Sequence, residues 1–185
     1  KDTILVYAAA GGVGSILCQW ASRLGARVIG VVGGEEKVAA ARQNGCDEVI
    51  DRTKESIVDV VLELTDGEGV PVVYDSLGKD TFETSLDCLK TRGLMVSYGN
   101  ATGAVPPFDI LDLMRKGSLY LTRPQFYFYL KSRQQLENAA SELFDMILNG
   151  TIKIDVHSHY ALEDVKDAHI AAESGKTIGA TVLLP

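Results

Sequence analysis

The stretch from Thr3 to Gly14, TILVYAAAGGVG, constrains this chain more than any other. Thr3 to Ala8 is a mostly apolar run of strand length. Ala9, Ala10, Gly11, Gly12, Val13 and Gly14 follow as a tight turn almost without side chains. From Ser15 to Leu24 the apolar residues Ile16, Leu17, Trp20, Ala21 and Leu24 recur at helical spacing. Strand, glycine turn, helix is the context that a dinucleotide-binding fingerprint requires. Small residues let backbone N–H groups approach a pyrophosphate, which sits at the positive end of the helix. Ala10, Gly11, Gly12 and Val13 are therefore the candidate contacts. The first fingerprint glycine is replaced by Ala9, so the motif reads A-x-G-x-x-G. The alternative is a glycine turn that merely packs a helix onto a sheet; the strand and helix on either side favour cofactor binding.

The rest of the chain repeats the alternation. Strands are expected at Arg27 to Val32, Glu48 to Ile50, Pro71 to Leu77 and Gly93 to Tyr98. Helices are expected at Glu35 to Asn44, closed by Gly45, at Glu55 to Leu64, and at Asp80 to Leu89. Strands alternating with helices imply parallel pairing through right-handed crossovers, hence a doubly wound α/β sheet. Their nearly all-apolar composition fits a sheet covered on both faces. Gly99 to Pro107 reads as a loop and Ser118 to Thr122 as a sixth strand. Arg123 to Tyr129 holds four of the twelve Phe and Tyr residues. Arg133 to Asn149 reads as a long amphipathic helix closed by Gly150. A short α/β tail completes the pattern: a strand after Lys153, a helix from Leu162 to Ser174 and a strand from Ala180 to Leu184.

Bulk properties narrow the function classes. A net charge of −7 argues against a general nucleic-acid surface. No apolar run has membrane-spanning length, and the first residues carry no signal-peptide pattern. The three cysteines, Cys18, Cys46 and Cys88, lie far apart without C-x-x-C spacing, and His157, His159 and His169 suit an exposed strand and a helix better than a metal site. These features indicate no metal and a reducing, cytoplasmic compartment. Lys1 and Asp2 leave no leader before the fingerprint strand, so the expectation is a fragment whose substrate-binding domain precedes it.

In a sheet of this kind ligands lie at the carboxyl ends of the strands. The second strand ends in Val32-Gly33-Gly34, where an NAD-preferring site would place an acid for the ribose 2′-OH. Small residues there, with Lys37 one turn on, suit the 2′-phosphate of NADPH; a plain turn with a solvated lysine is the alternative. Arg52 follows the third strand and is placed to flank the adenine or reach the phosphate. Asp75, Ser76 and Gly78 follow the fourth strand, and Tyr98, Gly99 and Asn100 the fifth, where Gly99 lets backbone approach the nicotinamide end. No Y-x-x-x-K constellation of a short-chain reductase is present, and no nucleophile–base pair stands out. Hydride transfer requires none, because the cofactor carries the chemistry.

With these residues assembled, the sequence resembles the zinc-independent quinone oxidoreductases of the medium-chain dehydrogenase/reductase superfamily, most of all the bacterial NADPH:quinone reductases, relatives of zeta-crystallin. The runs that carry the resemblance are AAAGGVG at Ala8 to Gly14, VYDSLG at Val73 to Gly78, RGLMVSYGN at Arg92 to Asn100, KGSLYLTRP at Lys116 to Pro124 and GKTIGATVLLP at the end. It covers essentially the whole chain. It implies a Rossmann domain with a six-stranded sheet over residues 1–125, and a segment 126–185 that completes an absent N-terminal catalytic domain. It implies NADPH as cofactor and a quinone as substrate, reached through that absent domain. It places Gly33, Lys37 and Arg52 around the 2′-phosphate and adenosine, and Tyr98 to Asn100 with Thr122, Arg123 and the residues to Gln125 on the nicotinamide side. Many relatives carry Tyr at the Arg52 position and a basic residue where Gly175 stands; neighbouring Lys176 is the available substitute. It also implies a homodimer in which two copies of strand 118–122 pair across a two-fold axis. The alternative for that edge is a cover formed by Phe126 to Tyr129 within one subunit. A non-catalytic dinucleotide-binding or crystallin-like module is the second reading of function. A zinc alcohol dehydrogenase is disfavoured by Ala9 and Val32.

Overall fold

The apolar run after Asp2 forms strand β1 (Thr3–Tyr7), which takes a central place in a six-stranded sheet. In the computed structural model, which describes residues 2–185, it is followed by α1 (Gly12–Arg23), β2 (Arg27–Val32), α2 (Val38–Gln43), β3 (Glu48–Asp51), α3 (Ile57–Leu64) and β4 (Val70–Asp75). Then come α4 (Phe82–Asp87), β5 (Leu89–Ser97), α5 (Leu111–Arg115) and β6 (Tyr120–Thr122). The strands lie in the order β3-β2-β1-β4-β5-β6, and every pair is parallel. This is the Rossmann arrangement expected from the alternation. Its order reverses between β1 and β4, and a crevice opens there at the carboxyl ends of the strands.

Both faces of the sheet are covered, which is why its strands are apolar throughout. Successive side chains of β1 point to opposite faces. Leu5 and Tyr7 join Ile29, Val31, Ile57, Val61, Phe82 and Leu86 on the side of α3 and α4. Ile4 and Val6 join Cys18, Ala21, Val28 and Ala41 on the side of α1 and α2.

Several boundaries depart from expectation for local reasons. Helix α1 starts at Gly12 rather than Ser15, because extended Gly11 (φ −84°, ψ 173°) serves as its N-cap and the turn is confined to the residues before it. The helix expected from Glu35 breaks into a 3-10 turn, Glu35–Lys37, followed by α2. Strand β5 begins at Leu89, where a register irregularity lets Leu89 pair with Val70. The short α5 carried no periodic signal; Asp109 Oδ1 accepts the Leu111 N–H, and Arg115 pairs with Asp109 and Asp112. Strand β6 is shorter than expected because the chain turns through positive φ at Gly117 (116°) and Ser118 (55°).

After β6 come α6 (Phe126–Tyr129), α7 (Arg133–Leu148), β7 (Val156–Ala161), α8 (Val165–Glu173) and β8 (Ala180–Leu184). A capping box, Ser132 with Gln135, starts α7. Strands β7 and β8 pair in parallel as a separate two-stranded sheet. The aromatic residues of α6 are all exposed, so they do not cover the β6 edge, where Tyr120 is 54% exposed. Of the 21 exposed large apolar side chains, 14 lie between Phe126 and Leu184, so this segment buries little of its apolar surface within the chain.

Hydrogen bonds nevertheless tie the tail to α1 and to the glycine turn. The Gln19 side chain exchanges two hydrogen bonds with the Lys153 backbone, at 3.0 and 2.8 Å. The Gly179 N–H donates to the Ala10 carbonyl at 2.8 Å. Gly11 and Gly179 form a parallel bridge.

Candidate functional site

The turn after β1 is held by a Gly11 N–H to Ala8 carbonyl bond of 2.9 Å, and α1 then runs away from the sheet. Its first turn, Gly12, Val13 and Gly14, carries N–H groups that no preceding turn can satisfy. They mark the positive end of the helix, aimed at the crevice. Gly14 makes the approach possible. A Cβ there would stand 2.1 Å from the Ala8 carbonyl oxygen and 2.8 Å from its carbon. No residue other than glycine lets α1 start so close to β1.

A cleft of about 410 Å³ lies over this turn. The expected residues Ala10, Gly11, Gly33, Lys37 and Arg52 line it together. Gly33 leaves room for Arg52: a Cβ at Gly33 would lie 3.2 Å from the Arg52 Nε. The guanidinium thus spreads across the end of β2, where it can meet an adenine face or a phosphate. The two acids that follow β2 point elsewhere. Glu35 pairs with Lys54, and the Glu36 carboxylate lies against Gly34. Lys37 is 8% exposed, and its ammonium donates to the Gly175 carbonyl.

The remaining expected residues divide. Val13 is 65% exposed on the first turn of α1, so it offers its backbone N–H and not its side chain. Lys176 is exposed and lies off the cleft wall, which its neighbours Gly175 and Thr177 form; left-handed Gly175 (φ 67°) turns the chain just before it. Ser76, Tyr98, Gly99 and Asn100 gather at the carboxyl ends of β4 and β5. A Cβ at Gly99 would stand 2.2 Å from the Ser76 carbonyl oxygen, so the two chain segments touch backbone to backbone. The Tyr98 hydroxyl is buried without a partner, and burial holds its phenol above the usual tyrosine range. Arg123 does not reach freely into the crevice: its guanidinium donates to the Ser97 and Gly99 carbonyls, each at 3.0 Å. It braces the end of β5 against the end of β6, where Thr122 pairs with Val96. Asn100 and Arg123 share a second, largely apolar cavity of about 620 Å³ with Phe82, Val105, Phe108 and Leu121.

Sequence reasoning missed several lining residues. Leu77 and Thr102 stand on the cleft wall, and the Thr102 hydroxyl donates to the Leu77 carbonyl at 2.9 Å. Ala172, Glu173, Ser174 and Thr177 also line it. They come from the end of α8 and the loop after it, more than a hundred residues from the glycine turn, and no local pattern announces such a neighbour.

Asp75 ties the end of β4 to the Leu77–Gly78 loop and to α4. It is fully buried and accepts from the Leu77 N–H (2.7 Å), the Gly78 N–H (3.0 Å), the Thr81 hydroxyl (2.8 Å) and the Ser85 hydroxyl (2.7 Å). All three cysteines are buried; burial pushes the Cys88 thiol up to about 12, and hydrogen bonding with Cys46, together with burial, holds Cys18 high as well, so neither is a nucleophile.

Comparison with known proteins agrees with this geometry. A family model described as zinc-binding dehydrogenase matches residues 12–144. A quinone oxidoreductase of Pseudomonas aeruginosa is 50% identical over all of this chain and 57% of its own length. A 2-haloacrylate reductase of a Burkholderia species is 43% identical over all of this chain and 56% of its own. The crystal structure of an Escherichia coli quinone oxidoreductase complexed with NADPH superposes with a TM-score of 0.96 at 48% identity, covering the whole chain and 57% of that protein. The chain thus spans a little over half the length of the relatives it matches. The family's description names a metal, but no three His, Cys, Asp or Glu side chains come together to hold one among the described residues, so these residues do not fit a zinc site. The chain belongs to the zinc-binding dehydrogenase family, and its six-stranded sheet has the Rossmann fold.

Proposed function

We propose that this chain is the NADPH-binding part of a zinc-independent quinone oxidoreductase that passes hydride or electrons from NADPH to a quinone. The observation that carries the reading is the pairing of a side-chain-poor turn with two cations, Lys37 and Arg52, on one cleft from which Glu35 and Glu36 are turned away. When bound, the nicotinamide supplies the hydride. The chain's residues do the holding. The first-turn amides of α1 receive the pyrophosphate, and Lys37 and Arg52 receive the 2′-phosphate and adenine. The ends of β4, β5 and β6, braced by Asp75 and Arg123, hold the nicotinamide end near Asn100 and Thr122. The E. coli relative crystallised with NADPH supports this assignment. Segment 126–185, with its exposed apolar faces, is read as completing a catalytic domain from elsewhere in the protein, and residues 1–125 as the cofactor domain. No helix among the described residues is long and apolar enough to cross a membrane, in keeping with a cytoplasmic enzyme.

Calorimetry tests the cofactor assignment. Lys37→Ala loses a charge-assisted bond to the phosphate and weakens NADPH binding by about 1.5–3 kcal/mol, with little change for NADH. Equal losses for the two dinucleotides would show that Lys37 does not read the phosphate. Turnover by the full-length protein separates the enzyme from a non-catalytic binding module.

The β6 edge is the proposed homodimer contact. Leu119 is buried and Leu121 packs on the core, while Tyr120 points out. An exposed edge strand is a pairing template, and two-fold pairing is the commonest closed symmetry. Tyr120→Pro removes a ladder donor and is expected to shift the chain to monomer in sedimentation at micromolar concentration. A folded proline variant that stays dimeric would place the interface elsewhere.

A further inference from the structure

The ammonium of Lys37 occupies a peculiar position. It sits on the cleft wall at 8% exposure, and no carboxylate pairs with it among the described residues. Its protein partner is the carbonyl of Gly175, 138 positions further along the chain. A neutral carbonyl satisfies one of three N–H donors and cancels none of the charge. Lysine also has a flexible four-carbon stem that, untethered, would carry the charge out to water. The Gly175 contact keeps the ammonium in the cleft.

We propose that the Gly175 carbonyl is the positioning group for Lys37, and that the loop Ser174–Thr177 thereby helps to set preference for a phosphorylated adenosine ribose. The inference rests on the dinucleotide reading above and adds a determinant to it. Loop and phosphate share one ammonium: the loop holds it in place, and the phosphate supplies the missing negative charge. A ligand bearing that phosphate is bound to an ammonium already oriented, so less freedom is lost on binding. A ligand lacking it gains nothing from the loop's carbonyl. The loop adopts its shape through Gly175 in the left-handed region, φ 67°. A Cβ at Gly175 would meet nothing within 4 Å. Substitution there disturbs the backbone conformation without a steric clash, which makes it a clean probe.

The test measures NADPH and NADH binding to the 185-residue chain, to Gly175→Val, to Lys37→Ala and to the double variant. A β-branched residue is strongly disfavoured at that φ, so the carbonyl moves away from Lys37. Gly175→Val is expected to weaken NADPH about tenfold, the scale of one charge-assisted hydrogen bond, and to leave NADH within about twofold. The double variant is expected to lose no more NADPH affinity than Lys37→Ala alone, because both changes disable the same contact. Hydrogen exchange of the amides of 174–177 is expected to slow more with NADPH than with NADH. Equal weakening of both dinucleotides, additive losses in the double variant, or identical exchange with the two ligands would overturn the positioning role and leave the cofactor assignment standing. A parent chain that binds NADPH no better than NADH would overturn that assignment and this inference with it.

Discussion

Asp75→Ala is expected to lower stability by about 3–5 kcal/mol, the scale of a buried charge network losing one member. Four donors converge on this fully buried carboxylate, two of them backbone N–H groups, at 2.7–3.0 Å. Alanine leaves the Leu77 and Gly78 N–H groups without their acceptor, and each orphaned buried donor costs about 1–3 kcal/mol. The hydroxyls of Thr81 and Ser85 can rotate to other acceptors, and Thr81 already lies 3.4 Å from the Gly78 carbonyl. Asp75→Asn keeps the shape and the acceptor that faces the backbone amides. Its cost is expected to be about 1–2 kcal/mol, that of weakened side-chain bonds alone. Urea unfolding followed by circular dichroism measures both. An alanine variant within 1 kcal/mol of the parent would mean that water replaces the carboxylate, against its complete burial. The change is also felt in the cleft, because Leu77 and Gly78 form the loop that Asp75 ties down, and Leu77 stands on the cleft wall.

The same glycine-to-alanine change is expected to have opposite signs two residues apart. At Gly14 the added methyl would meet the Ala8 carbonyl oxygen at 2.1 Å, the Ala8 carbon at 2.8 Å and the Ala9 Cα at 3.1 Å. All three are backbone, so no side chain can swing away; α1 must shift off the end of β1. Gly14→Ala is expected to cost about 3 kcal/mol, as for severe overpacking, and to weaken NADPH at least tenfold through displacement of the first-turn amides. At Gly12 the nearest atom to the added methyl is the Gly179 carbonyl oxygen at 3.6 Å, an ordinary contact. Gly12 is helical, and alanine there is expected to be neutral or to stabilise by up to about 1 kcal/mol. Thermal melts of the two variants, read beside NADPH titrations, check the contrast. A Gly14→Ala chain as stable as the parent would show that the turn has slack absent from its geometry.

What sequence alone determined about this protein is its layer architecture and one end of its site. The apolar runs at Thr3, Arg27, Glu48 and Pro71, each followed by a helical pattern, with a further run at Gly93, require a parallel sheet covered on both faces, because each element has a face to bury and local spacing records which face it is. The glycine turn was legible for the same reason: backbone that must approach a ligand or another strand excludes side chains, and that exclusion is written in consecutive residues. Gly33, Lys37 and Arg52 were found through their places at strand ends. Tertiary structure decided the rest. It turned Glu35 and Glu36 out of the cleft, engaged Arg123 with two backbone carbonyls instead of leaving it free, and kept Lys176 off the wall where Gly175 and Thr177 stand. It also brought the loop after α8 to Lys37 across 138 positions. Such facts depend on contacts distant in sequence, and hydrophobic period carries no information about which remote carbonyl an ammonium will meet.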